Sequence, residues 1–103
     1  VLIGDTGYVS NWGEPFDPSD DYIAVIDLIS NAVIGTIPVG EGPEDMMISN
    51  SKLFVNLQGG FNQNNKVVVI DTNNNSVETT LTVGDIPNSL VNDGAGNIWV
   101  LCE

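Results

Sequence analysis

The residues best suited to chemistry crowd one stretch, Asn11-Trp12-Gly13-Glu14-Pro15-Phe16-Asp17-Pro18-Ser19-Asp20-Asp21. Glu14, Asp17, Asp20 and Asp21 place four carboxylates within eight residues, and these are the hard oxygen donors that Ca2+ takes. Their spacing is not that of an EF-hand loop, which needs donors at alternate positions, then a Gly and a distal Glu. Calcium is the one candidate ion, with Asp17, Asp20 and Asp21 as its ligands, and no other cofactor is expected. Trp12 and Phe16 set aromatic surface beside these carboxylates, and Pro15 and Pro18 limit the loop's entropy. With Glu14, and with Glu41 and Glu44 further along, they are candidate contacts for a cationic, metal-bearing or sugar-like ligand. A solvated insertion, with carboxylates for solubility and aromatics resting on neighbouring structure, uses the same residues.

Composition limits the rest. The chain has 103 residues, 14 Asp and Glu against 2 Lys and Arg, no His, one Cys, and a formal charge of −12. Two basic residues cannot form a phosphate-backbone footprint, which argues against nucleic acid as a partner. Without His there is no imidazole for a Ser-His or Cys-His nucleophile, for the usual zinc cage, or for proton transfer near neutrality. Hydrophobic residues make up 42%, too many for a disordered acidic tail, so the chain should fold. Cys102 cannot make an internal disulfide, and no apolar run is long enough to span a membrane. The chain opens on Val1-Leu2-Ile3 and closes on Trp99-Val100-Leu101-Cys102-Glu103. Both read as strand interiors, so a piece of a longer protein is expected.

Self-comparison supplies the elements that must hold the loops. Tyr8-Val9-Ser10-Asn11 returns as Phe54-Val55-Asn56-Leu57, 46 residues on, and as Trp99-Val100-Leu101-Cys102 after 45 more. Ile23-Ala24-Val25-Ile26-Asp27 returns as Val67-Val68-Val69-Ile70-Asp71 at an offset of 44. Val39-Gly40 and Pro43 return as Val83-Gly84 and Pro87 at the same 44-residue offset. The repeat starting near Met46 holds four runs, Met46–Ser49, Leu53–Leu57, Lys66–Asp71 and Ser76–Val83, rich in Val, Ile and aromatics and separated by turn residues. Such runs predict strands and hairpins; Glu44–Ile48 admits at most one turn of helix. Asn73-Asn74-Asn75 and Asp93-Gly94-Ala95-Gly96-Asn97 supply residues for positive φ. Four strands per about 40–45 residues is the spacing of a β-propeller blade.

The three recurring motifs also resemble a family, the YVTN-type β-propeller repeats of bacterial and archaeal surface proteins. Tyr8-Val9-Ser10-Asn11, Ile23-Ala24-Val25-Ile26-Asp27 and Ile37-Pro38-Val39-Gly40 with Pro43 are similar to the family's successive strand motifs, and the likeness spans essentially the whole chain. Phe54-Val55-Asn56-Leu57 departs from the first motif at its last position. The resemblance implies an all-β partial propeller and an exported location, periplasmic, cell-surface or extracellular. Some relatives resemble surface binders of vitamin B12-type ligands. It implies two blades of four antiparallel strands, about 1–40 and 41–84, and half a blade over 85–103.

In that arrangement the longer loops and the sheet-to-sheet connections share one face. Eight of the 14 carboxylates fall there: Glu14, Asp17, Asp20, Asp21, Glu41, Glu44, Asp45 and Asp85, with Lys66 as the only cation. Asp5, Asp27, Asp71 and Asp93 are spread over turns of the other face, with Lys52. Asp27 and Asp71 end strands and are expected to cap turns; Val39-Gly40 and Val83-Gly84 are expected to serve turns as well. Tyr8, Phe54 and Trp99 are expected between blades, and Cys102 in the interior. The reading is a non-catalytic binding or scaffold module whose acidic face meets a small molecule or a protein. A fragment of a propeller enzyme, lyase- or lactonase-like and metal-assisted, and a purely structural surface-layer or adhesion repeat are its alternatives. Open sheet flanks further predict self-association.

Overall fold

The computed structural model describes residues 1–12, 21–59 and 63–102. Among them the chain is all β, with no helix, and every strand pairing is antiparallel. Strands β1 (Leu2–Ile3), β2 (Thr6–Asn11), β3 (Tyr22–Asp27) and β4 (Ala32–Pro38) pair in chain order as a first sheet. A second sheet repeats the pattern with β5 (Pro43–Ser49), β6 (Lys52–Gly59), β7 (Gln63–Asp71) and β8 (Ser76–Thr82). A third holds only β9 (Pro87–Asn92) and β10 (Ile98–Cys102), and no sheet closes on itself. Glu44–Ile48 lies wholly in β5 and forms no helical turn. Its register against β6 shifts between Pro43 and Met46, so Glu44 and Asp45 take up an irregularity at the strand's start.

The repeat reaches down to single atoms. Asp27 Oδ1 accepts the Ile29 N–H at 3.0 Å, and Asp71 Oδ1 accepts the Asn73 N–H at 2.9 Å. The same turns close through Asn31 at φ 56° and Asn75 at φ 54°, a left-handed conformation that Asn tolerates better than most residues. Both outer pairings bulge at one place: Ile34 has no partner between Val33 and Gly35, nor Glu78 between Val77 and Thr79. A bulge increases local twist, and its repetition gives both sheets the same shape.

That shape lets the sheets stack. Strand side chains alternate between faces, so each sheet has a forward face toward the next and a rear face toward the one before. Tyr8, Ile23, Val25 and Ile37 point forward from the first sheet onto Leu53, Val55, Leu57, Val68 and Ile70 on the rear of the second, forming one buried core. Each such side chain contributes about 1.5–3 kcal/mol by leaving water. The second sheet's forward face meets β9, where Leu90 is buried. Covered on both sides, β7 carries the unbroken run Val67-Val68-Val69-Ile70, all of it buried. Sheets covered on two faces characteristically show such runs, whereas half-buried strands alternate.

Stacking also explains a departure from expectation. Tyr8 is 2% exposed, Phe54 is half-buried, and Trp99 is 64% exposed, though all three hold one place in the repeat. The aromatic is covered only where a full sheet stands in front of it. At the first interface the Tyr8 hydroxyl donates to Asn75 Oδ1 at 2.6 Å, joining the two sheets, and burial raises its phenol pKa. Asn56 is fully buried on the forward face of the second sheet, and its amide finds no hydrogen-bond partner among the described residues. Such a group costs about 1–3 kcal/mol, which the surrounding apolar burial offsets.

The first interface is tight at β2 and β3 and opens outward. Cavities of about 310 and 210 Å3 lie where β4 faces the outer half of the second sheet, so the two sheets form a wedge. Tyr8→Phe, which removes one inter-sheet hydrogen bond and keeps the ring, should cost ~1 kcal/mol. The expected result is a lower urea midpoint with an unchanged slope; an unchanged midpoint would show that the bond carries no net stability.

Candidate functional site

The up-and-down strand order sends the connections after β2, β4, β6 and β8 to one end of the stack. Backbone bonds knit that end together: Gln58 N–H to Gly42 O at 2.8 Å, Val83 N–H to Asn65 O at 2.8 Å, and Ile86 N–H to Asn64 O at 2.9 Å. Trp12 sits at its surface, 38% exposed, and its indole Nε1 donates to Pro43 O at 2.7 Å. The hydrogen bond holds the ring beside the segment carrying Glu41, Glu44 and Asp45. Of the other sequence candidates, Glu44 is exposed, Glu41 is half-buried, and Glu14, Phe16, Asp17 and Asp20 lie outside the described residues.

Two of the carboxylates at this end clamp the backbone. Asp21 is 4% exposed, and its Oδ2 accepts the Gly42 N–H at 2.7 Å, tying the start of β3 to the approach of β5. Asp45 spans the next junction, with Oδ1 accepting Met46 N–H and Oδ2 accepting Leu90 N–H, each at 3.0 Å. A carboxylate that accepts backbone donors in this way is fixed in place. Asp21, named above with Asp17 and Asp20 as a calcium ligand, is thus engaged in joining sheets. Among the described residues no group of three or more His, Cys, Asp or Glu is placed to hold a metal ion. Glu44 and Asp85 are exposed at this end and Glu41 is half-buried, with Trp12 bonded to Pro43 in the segment between the two glutamates.

The glycines of the recurring Val-Gly motif lie in the connections between sheets, as expected, and they also make room for the sheet that follows. A Cβ on Gly40 would stand 2.6 Å from Leu57 Cδ1, and one on Gly84 would stand 3.0 Å from Cys102 Cβ. Leu57 and Cys102 occupy one place in the repeat, so each glycine makes room for the same position of the following sheet. The positive φ belongs to Gly42, at 73°, where a Cβ would come within 2.5 Å of the Gly59 backbone nitrogen and oxygen. Cys102, beside Gly84, is half-exposed and free.

Sequence patterns did not single out the neutral side of this end. Asn64 Nδ2 donates to Glu41 O at 3.1 Å, and Lys66 Nζ donates to Asn65 Oδ1 at 2.7 Å. Asn64 and Lys66 stand at the mouth of the larger cavity, over a floor of Val39, Leu57, Val68 and Val77. An apolar slot with one amide and one ammonium suits a small, mostly apolar molecule that carries an acceptor. Its lining comes from β4, β6, β7 and β8, so only folding brings it together. The Asn-rich run from 62 to 65 was the sole sequence signal there, and it reads as an ordinary turn.

The opposite end carries a strongly shifted acid. Asp93 Oδ1 accepts the Ala95 N–H at 2.8 Å, while Oδ2 accepts from Trp99 Nε1 at 3.2 Å and Asn97 Nδ2 at 3.1 Å. These donors, the Ala95 backbone first, favour the charged form and lower the pKa from 3.8 to about 2. The only ion pair between described side chains, Lys52 with Glu78 at 2.6 Å, is also near this end and exposed. Exposed pairs of this kind add little stability.

No protein-family model matches this chain, and no curated protein matches it either. Among the described residues no helix is long and apolar enough to cross a membrane.

Gly42→Ala should destabilise by about 2–3 kcal/mol, combining positive-φ strain with a clash against backbone. Gly40→Ala should cost less, because the obstructing atom is the tip of a leucine; chemical denaturation of both variants checks the order. Asp93 should titrate near 2 by carboxyl-carbon NMR, against 3.8 for an unperturbed group. Because the folded-state pKa is the lower one, its stabilising effect is complete above pH 3.8 and fades as pH falls toward 2. Asp93→Asn should remove that pH dependence.

Proposed function

We propose that this chain is a non-catalytic binding or scaffold module of an exported β-propeller, presenting its acidic loop end to a cationic ligand or partner. The observation that carries the reading is Trp12, held by its 2.7 Å bond to Pro43 O against the segment bearing Glu41 and Glu44. An aromatic face beside carboxylates is chemistry that recognises an ammonium or guanidinium group. Lys66 is the one basic side chain at that end, against Glu41, Glu44, Asp45 and Asp85, so the net charge there is negative and attracts cations.

The propeller part rests on the resemblance to YVTN-type repeats and gains support from geometry. Four-stranded up-and-down sheets follow one another in the chain, forward face to rear face, and the first pair splays outward as a wedge. Cα extents of 38 × 37 × 18 Å give a slab whose thin axis is about the length of one strand. The exported location follows from the resemblance alone.

A tetralysine peptide is the simplest probe. Titrated into Trp99→Phe protein, it should change the remaining Trp12 fluorescence saturably, and added salt should weaken the binding. Glu41→Gln combined with Glu44→Gln should reduce affinity roughly fivefold or more. A flat titration at low salt, or full affinity in the double variant, would overturn the reading.

A further inference from the structure

Among the described residues two apolar sheet faces have no cover, and they are opposite in kind. The rear of the first sheet exposes Leu2 at 70%, Val9 at 48% and Val33 at 62%. The forward face of the third exposes Val91 at 56%, Trp99 at 64% and Leu101 at 61%. Strand pairing puts each set on a single face: Leu2 opposes Gly7, which opposes Ile26, itself beside Val33; Trp99 opposes Val91, and Leu101 opposes Ser89. Isolated exposed apolar residues are ordinary, but contiguous patches mark interaction surfaces.

The occupant is indicated by the chain itself. Its own interior shows what a forward face packs against, namely a rear face of the same repeat. Tyr8 lies forward and contributes to a core with Val55 and Ile70 on the rear of the next sheet. In the repeat Trp99 takes the place of Tyr8, while Val9, Ile26 and Val33 take the places of Val55, Ile70 and Val77. The rear of the first sheet is therefore the counterpart of the rear half of that interface, and the two-stranded forward face matches the forward half at Trp99, without equivalents of Ile23, Val25 and Ile37. Asn31 has the left-handed conformation and turn position of Asn75, the residue that meets Tyr8. In a second copy it would stand opposite Trp99.

We propose that copies of this chain associate head to tail, the Val91-Trp99-Leu101 face of one seated on the Leu2-Val9-Val33 face of the next. The interface is heterologous: the two sides use different surfaces, so the contact propagates into a chain of copies or closes into a ring. It continues the sheet-to-sheet stacking across the molecular boundary. A net charge of −12 per copy opposes the contact, and the Asp93 carboxylate, which accepts the Trp99 indole N–H at 3.2 Å, borders the front patch. Salt should therefore strengthen assembly by screening the repulsion, whereas it weakens the cation binding proposed above. The two readings can fail separately.

The test uses two variants of the whole chain. Val9→Lys with Val33→Lys blocks the rear, and Trp99→Lys with Leu101→Lys blocks the front; all four side chains are exposed, and circular dichroism should show both variants folded as the parent. In sedimentation velocity the parent should assemble with rising concentration, and more so with added salt. Each blocked variant alone should be a monomer, its self-affinity reduced roughly tenfold or more by a buried lysine. Mixed together, the two should form a dimer containing one of each, since one intact front and one intact rear remain. Self-pairing by either blocked variant alone would identify a symmetric contact or strand-edge pairing and overturn the proposal. So would a parent that stays monomeric throughout, or a mixture of folded variants that fails to pair.

Discussion

The seating of one sheet's forward face on the rear face of the next is the interaction on which the structure depends. A single antiparallel sheet cannot bury an apolar face by itself; it needs a second layer. Here Tyr8, Ile23, Val25 and Ile37 find that layer in Leu53, Val55, Leu57, Val68 and Ile70. The second sheet then offers its other face to β9. Polar bonds close this contact at both ends. Tyr8 and Asn75 close it near one end, and Asp21 and Gly42 close it at the other. Gly40 and Gly84 belong to the same geometry, because each removes a side chain where the following sheet must approach.

Among the described residues the large negative charge fits this fold because the carboxylates stand at the ends of the stack or on exposed strand, and several are held by hydrogen bonds. Asp27, Asp71 and Asp93 accept backbone donors within their own turns. Asp21 and Asp45 accept donors from a neighbouring sheet, so they act as clamps between layers. Once these roles are separated, the acidic end is a smaller feature than its composition suggests. Trp12 is bonded to Pro43, between Glu41 and Glu44 in the chain, and that hydrogen bond orients the indole. Binding is therefore proposed on a few groups at the ends of the strands.

Much of the fold was legible because repetition is a property of sequence. The 44-residue offset between Ile23–Asp27 and Val67–Asp71 marked equivalent strands, and the turn role of Asp27 and Asp71 needed only local hydrogen bonds. The candidate site was legible in outline: alternating strand direction assigns Trp12, Glu41, Glu44, Asp45 and Asp85 to one end. Other features depend on distant residues. Trp99 shares a motif with Tyr8 yet is largely exposed, since burial depends on what stands in front and not on residue type. The Val-Gly motif reads as a turn because a close approach leaves no mark on the motif itself. Nothing near Asp45 announces that one of its hydrogen-bond donors is the Leu90 N–H, 45 residues away.

The sequence by itself determined the secondary structure class, the order of the strands and the end of the molecule to which each loop belongs. Those follow from period-two apolar runs, turn residues and chain direction, all of which act over a few positions. Only the tertiary structure decided which aromatics are covered, which carboxylates are clamps, where a cavity opens and which faces remain bare. Each of those depends on contacts between residues far apart in the chain, formed when one sheet settles on another.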